Sequence, residues 1–452
     1  MLRVCLSIGL VLLLLGYTAH SEAEQKQEIE ELSQSLQVLE AFGFSGVVSI
    51  KAKDQVLLQE AYGYANVKTR TSNTIDTKFP LLSMTKPMLA AGILLLEEQG
   101  KVELNASISD YVPSLHSDKI PITLHHLLTH TSGLVPNKKV RQKDINEFLK
   151  QVNDLDRDSM SGIKRRYCNM CYSLVAAVLE IISEISWRDS MEQWVLKASG
   201  MENARIMRAA RSSDIATGYR DHPLVSQPMV MSDGPDYINE MWWSVAGARG
   251  VAADVNDVLH WLESLQSDRL LSAESRQKMF TRYIGDQGYG WHIDESNGQK
   301  RYWKGGGAPM YETQMVIYPD TDIKVVLLLN NNMGWRVPVW RLIENSLFSG
   351  DIAQLPTDEL KEPTVSFTKL VNESETVALT VMDSSSVTVK IEQLNNEESH
   401  TVNLLFDAEH DRYLGLRPRS GESGFAIYQL RREGDEFGLT LPSGESYQLI
   451  EH

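Results

Sequence analysis

Cysteine is scarce. The 452 residues contain 3, and one of these, Cys5, lies in an apolar N-terminal stretch, so no disulfide framework holds the chain together. The other two form Cys168-x-x-Cys171, with no second pair of ligands at finger-like spacing for zinc. Basic runs are also missing. Lys and Arg number 44 against 60 Asp and Glu, and the net charge of −16 argues against nucleic acid, whose phosphates need clustered cations. A local group such as Lys164-Arg165-Arg166 reads as a solvated loop, able at most to attract an anionic small molecule. Past the first residues no apolar run reaches the ~20 residues that span a bilayer. Hydrophobic residues at 42% and charged residues at 23% are ordinary for a folded soluble protein, and a chain of this length can bury large cores without metals or disulfides.

The N-terminus has the pattern of a secretory signal. Arg3 precedes the apolar stretch Val4 to Leu15, and small residues follow at Ala19, Ser21 and Ala23, which predicts a signal peptide over 1–23 cleaved near Ser21 or Ala23. No Cys stands at that boundary to carry a lipid. The expected location is periplasmic or secreted, with no stable membrane span after cleavage. In an oxidising compartment Cys168 and Cys171 could pair, or act as a redox pair at a helix start. Packing as two small side chains beside a neighbour is the favoured reading.

Further along, Ile29, Leu32, Leu36 and Leu39 have helical spacing. Gly46–Ile50 and Val56–Ala61 read as strands joined by a polar turn. Met84 to Gln99 reads as an apolar helix, with Pro87 near its start and Gly100 at its stop. Leu174 to Ile185 and Ala252 to Leu265 are further helices. Strand-like segments lie at Tyr302–Gly307, Gln314–Tyr318 and Val325–Leu329, and Leu342–Phe348 reads as a closing helix. Trp242 and Trp243 are expected as core or interface filler. Residues 353–363, flanked by Pro356 and Pro363, read as a linker between a first domain over 24–352 and a β-rich domain over 364–452, a small antiparallel barrel or sandwich. His126 and His130 are spaced i, i+4 but lack the Glu of a His-Glu-x-x-His site, so both are expected to be structural and no metal or cofactor is implied.

Three pieces carry chemistry. Ser83 and Lys86 lie one helical turn apart at the positive end of the helix that follows, so a hydroxyl sits beside an amine able to take its proton. Tyr167-Cys168-Asn169 precedes a second helix. Lys304-Gly305-Gly306-Gly307 lies on a strand. This order of Ser-x-x-Lys, Tyr-x-Asn and Lys-Gly-Gly resembles the serine β-lactamase and penicillin-binding-protein superfamily, nearest to its class C β-lactamase, D-Ala-D-Ala peptidase and esterase branch. Leu127–Leu134 (LLTHTSGL), Ala246-Gly247-Ala248 with Asp254, and Gly288-Tyr289-Gly290-Trp291 also resemble segments of that family, over about residues 30 to 350.

The resemblance implies an α+β fold: an antiparallel sheet flanked by helices, with an all-helical subdomain. It implies a serine hydrolase without cofactor, acting through a Ser83 acyl-enzyme on a small-molecule or peptide substrate, a D-Ala-type peptide, ester or β-lactam, possible peptidoglycan fragments included. The alternative is a penicillin-binding-like sensor or cell-wall binding protein that does not turn over. Lys86 and Tyr167 are both base candidates. Two flanking ammonium groups are expected to pull the Tyr167 phenol down from ~10. Asn169 is expected to orient the lysine and the substrate amide, and Lys304 to bind an anionic group. The backbone N–H groups of Ser83 and Gly307 would form the oxyanion hole, and Gly305, Gly306 and Gly307 would let substrate approach the strand. Two departures stand out. Gly305 replaces the family's Thr or Ser, and Met310 before Tyr311 is expected to narrow the site.

Overall fold

The computed structural model describes residues 22–135, 144–207, 214–220 and 243–350, and beyond 350 a set of strands with Leu441. Residues 1–21 of the expected signal, Trp242, and most of the linker, with Pro356 and Pro363, lie outside the described residues. Six strands form one antiparallel sheet: β1 (Gly46–Ala52), β2 (Gln55–Tyr62), β3 (His292–Ser296), β4 (Gln299–Ala308), β5 (Tyr311–Tyr318) and β6 (Ile323–Leu329), in the order β2-β1-β6-β5-β4-β3. The N-terminal hairpin thus pairs with the last strand, Gly46 opposite Leu329.

Alternation along the strands builds a core on each face. Val48 and Ile50 of β1 and Val325, Leu327 and Leu329 of β6 pack with Ile29, Leu32, Leu36 and Leu39 of α1 (Glu22–Ala41) and with Val339 and Ile343 of a C-terminal helix, Arg336–Phe348. The intervening residues Val47, Val326 and Leu328 join the opposite core. That core contains α2 (Thr85–Glu98), α3 (Asn169–Ser183) and α4 (Val255–Ser264). The C-terminal helix, α5, starts at Arg336, six residues before the Leu342 read from sequence. Its Pro338 falls in the first turn, where the missing N–H leaves no bond unmade.

In α2, Met88, Leu89, Ile93 and Leu96 are fully buried, each contributing roughly 1.5–3 kcal/mol. Trp243 is buried and stacks on Phe148 at 5.9 Å. Beyond 350 the strands make a separate antiparallel sheet. Each strand from Lys369–Asn372 to Ser446–Glu451 pairs with the next, and the last pairs with the first, so the pairing runs round a ring. Ile391, Tyr428, Leu430 and Leu439 are buried.

α4 opens with a reciprocal cap. Asp257 N donates to Asp254 Oδ1 at 2.9 Å, and Asp254 N donates back to Asp257. Burial, with the Asp254 charge beside it, pushes the Asp257 carboxyl up to about 6. Because the folded protein binds this proton more tightly than the unfolded chain, Asp257 costs stability above pH 6, and the cost disappears as pH falls towards 4. The gap between that value and an ordinary aspartate corresponds to roughly 2–3 kcal/mol. Urea unfolding of wild type and Asp257→Asn across pH 4–7 is therefore expected to show the variant gaining that amount relative to wild type at pH 7 over pH 4. A pH-independent difference would assign no ionisation cost to Asp257.

Candidate active site

Ser83 stands in a single 3-10 turn, Leu82–Met84, that runs directly into α2. Leu82 has a φ of 53°, a left-handed conformation costing of order 1–3 kcal/mol for such a residue. Its burial beside Met207, Met310 and Tyr311 holds it there. Met310 is therefore packed under the nucleophile turn and does not narrow the cleft. β5 is tied to the same turn, Thr313 Oγ1 donating to Leu81 O at 3.1 Å, and Gly306 brings β4 against it. A Cβ on Gly306 would come within 2.4 Å of Thr313 Oγ1 and 2.8 Å of Leu81 O.

Two other motifs also act on packing. Gly290 has a φ of +83°, and a Cβ there would be 2.6 Å from Pro87 N and Cα, so the GYGW loop closes on the start of α2. A Cβ on Gly247 would lie 2.5 Å from Leu89 and 2.9 Å from Ala176, so the Ala246-Gly247-Ala248 turn seats between α2 and α3. That turn delivers the Ala248 carbonyl to the lysine.

Lys86 has no solvent exposure. Its Nζ lies 3.0 Å from Ser83 Oγ and donates to Ala248 O at 2.9 Å. The Tyr167 hydroxyl reaches Ser83 Oγ from the other side at 2.8 Å. Burial first, then the Lys304 and Arg249 charges, holds the Lys86 amine well below the ordinary lysine range. The expected phenolate is not favoured. Burial of Tyr167 raises its phenol, outweighing the Ser83 hydrogen bond and the Arg249 and Arg165 charges. Tyr167 as a whole residue is 44% exposed, with its hydroxyl against Ser83 Oγ, whereas Lys86 is wholly sealed and the more strongly perturbed of the two.

Tyr167 is positioned by the LLTHTSGL loop. Cys168 N donates to His130 Nδ1 at 3.2 Å, and the His130 ring lies 4.6 Å from the Tyr167 ring. His126 caps its own short helix through Thr123. Both histidines thus have local partners, and among the described residues no group of His, Cys, Asp and Glu could hold a metal. Cys168 and Cys171 form a disulfide with Cα atoms 5.3 Å apart, a covalent bond in place of the favoured simple packing.

These groups open onto a cleft of about 390 Å³ lined by Leu82, Ser83, Tyr167, Asn169, Arg249, His292, Trp303, Lys304, Gly305, Gly306, Gly307 and Arg336. Ser83, Tyr167, Asn169, Lys304 and the three glycines therefore converge there, with Lys86 sealed behind Ser83. Asn169 lines the cleft, and the described hydrogen bonds of Lys86 Nζ go to Ser83 Oγ and to the Ala248 carbonyl. Burial first, then the Arg165 charge, brings Lys304 down to about 7, and its Nζ sits 5.3 Å over the Tyr167 ring.

The glycines have separate reasons. A Cβ on Gly305 would fall 2.0 Å from Arg336 Nη1 and 2.7 Å from Gln314 Oε1, whereas one on Gly307 would meet nothing within 4 Å. Gly306 is thus required by the Leu81 backbone, Gly305 leaves room for the movable ends of Arg336 and Gln314, and Gly307 faces open space. The guanidinium of Arg336 occupies the volume that a Thr or Ser at 305 would fill, held by Gln314 Oε1 at 3.2 Å and facing Glu312 at 4.0 Å. Sequence reasoning missed Arg336, Arg249, His292 and Trp303. The signal for Arg336 was Gly305 itself, a small residue where a larger one is usual.

Residues 37–342 match the family model described as Beta-lactamase. The chain is 25% identical over 348 residues to penicillin-binding protein 4* of Bacillus subtilis (strain 168), covering 71% of this chain and 76% of that protein. It is 21% identical to a D-aminopeptidase of Brucella anthropi over 341 residues, 70% of this chain and 62% of that one. The fold is similar to the octameric penicillin-binding protein homologue from Pyrococcus abyssi, with a TM-score of 0.62, 20% identity, and coverage of 94% of this chain and 99% of that one.

Proposed function

The chain belongs to the beta-lactamase family and is a serine hydrolase, and from that premise we propose that it forms an acyl-enzyme on Ser83 with esters or amides that carry a carboxylate. The observation that carries this reading is the hydrogen-bonded series Lys86–Ser83–Tyr167 opening on a cationic cleft. Lys86, whose burial favours the neutral amine, takes the Ser83 proton as Oγ attacks the carbonyl. Tyr167, still a phenol, donates to the leaving oxygen or nitrogen. The N–H groups of Ser83 and Gly307 receive the oxyanion; among the described residues no strand pairs with β4 on the β3 side beyond Trp303, so that edge is offered to substrate. Asn169 meets the substrate amide.

Arg336 with Lys304 takes the carboxylate, in the space left by Gly305. A D-amino-acid peptide or ester of that kind fits, as does the similarity to a D-aminopeptidase. We further propose that the chain is exported and carries no membrane span once its signal is removed, a reading supported by Arg3, the apolar residues after it and the Cys168–Cys171 disulfide.

Stopped-flow hydrolysis of a pair of nitrophenyl esters, one with a free carboxylate and one neutral, tests this. Wild type is expected to give a burst with both. A stable adduct without turnover would instead favour a sensor, and no adduct would reject Ser83 acylation. Arg336→Ala is expected to raise KM for the anionic ester roughly 10- to 100-fold, the worth of a charged hydrogen bond, and to leave the neutral ester within twofold. Gly305→Thr, which displaces the guanidinium, is expected to give the same split. Equal loss on both esters would remove the anion role.

A further inference from the structure

His292 opens β3 at the wall of the cleft that contains Ser83. Its Nδ1 lies 2.7 Å from Asp286 Oδ2, so Nδ1–H donates to that carboxylate. Its ring is clamped flat against Trp303, its register partner on β4, at 4.3 Å and 19°. Trp303 is in turn tied by Nε1 to Asp294 Oδ2 at 3.1 Å. The Asp286 backbone is fixed by Ile293 N, which donates to its carbonyl at 2.7 Å. No described residue bonds His292 Nε2, and the side chain is only 16% exposed. An imidazole that lines a reaction cleft, with its tautomer fixed by a carboxylate on Nδ1 and no described partner on Nε2, has the arrangement of a general base.

Ser83 Oγ is already served by Lys86 and Tyr167, so acylation does not require a third group. Hydrolysis of the acyl-enzyme needs a base for the attacking water, which must lose a proton, and Lys86 already holds a proton at that stage. Resting on the Ser83 acyl-enzyme reading, we propose that His292, positioned by Asp286, is the general base that activates the deacylating water. An O–H bond of water breaks and its proton moves to His292 Nε2 while the oxygen bonds to the acyl carbon. The oxyanion collapses, the acyl carbon–Oγ bond breaks, and Ser83 Oγ takes back the proton that Lys86 Nζ, 3.0 Å away, accepted during acylation. The proton on His292 passes through solvent to the Tyr167 phenolate left by acylation, leaving a carboxylic acid and the resting enzyme. The charged and titratable groups that face the ring are Asp286 from the loop before β3, Lys304 from β4, Arg165 from the loop before α3, and His130. Burial first, then the Lys304 charge, brings His292 to about 4, so Nε2 keeps its lone pair throughout the neutral range.

The test is pre-steady-state hydrolysis of the neutral nitrophenyl ester by His292→Gln and Asp286→Asn, with intact-protein mass spectrometry of the quenched reaction. Both variants are expected to acylate within threefold of the wild-type burst rate. The following steady state should fall at least tenfold, with acyl-Ser83 accumulating. Asp286→Glu is expected to recover most of the loss, and wild type should accumulate acyl-enzyme as pH drops towards 4. If burst and steady state fall together, or only KM changes, His292 is a binding wall and the proposal is wrong. Unchanged kinetics in both variants would overturn it equally. Absence of any burst in wild type would instead remove the acyl-enzyme reading itself.

Discussion

Ser83→Ala is expected to abolish the acyl-protein adduct and to lower turnover by roughly 10⁴-fold or more, as removal of a nucleophile acting as a unit with its base does elsewhere. The size follows from the geometry: Oγ is the atom that joins Lys86 Nζ at 3.0 Å to the Tyr167 hydroxyl at 2.8 Å. Deleting it leaves two bases and no nucleophile. Folding should hardly change, since Lys86 keeps the Ala248 carbonyl and one polar side-chain contact is worth ~1 kcal/mol. The measurements are turnover of a nitrophenyl ester, intact mass after incubation, and urea unfolding of the same preparation. Full turnover in a folded Ser83→Ala protein would place the nucleophile elsewhere.

The second large effect is on stability. Glu344 of α5 is fully buried and shares Arg301 with Asp294. It also accepts from the Tyr318 hydroxyl at 2.8 Å and from Arg341 at 2.9 Å. Arg301 lies on β4, three residues before Lys304, and its guanidinium is almost wholly buried. Removing one partner of such a pair leaves the other charge buried and undercompensated, which costs about 3–5 kcal/mol. Glu344→Ala is therefore expected to lower Tm on the order of 10 °C, with Ser83 acylation retained below the new transition. A loss under 1 kcal/mol by denaturant titration would show that Asp294 alone satisfies Arg301.

Much of the site was legible because its chemistry is written in short spacings. Ser83 and Lys86 share a helical turn, and Pro87 fixes where that helix begins. The strand pattern Lys304-Gly305-Gly306 and the loop Tyr167-Cys168-Asn169 were equally local. Their convergence was inferred from family resemblance, since residues 83, 167 and 304 meet only when α2, α3 and β4 pack.

Other readings failed where long-range packing decided the outcome. The Tyr167 phenolate was expected from neighbouring charges, but burial weighs more than those charges and is invisible in a linear pattern. The Ala248 carbonyl that holds Lys86 lies 162 residues further on and carried no local signal. Gly305 read as a lost hydroxyl, whereas it makes room for Arg336.

By itself the sequence determined the nucleophile turn, Lys86 one helical turn from Ser83, the cation strand and the main strand segments of the sheet, because each depends on neighbours a few residues apart. Only the tertiary structure decided which base is sealed from solvent, what fills the space at residue 305 and which imidazole lines the cleft. Those depend on dielectric, on contacts across more than a hundred residues, and on side-chain volumes that meet once the sheet and helices close.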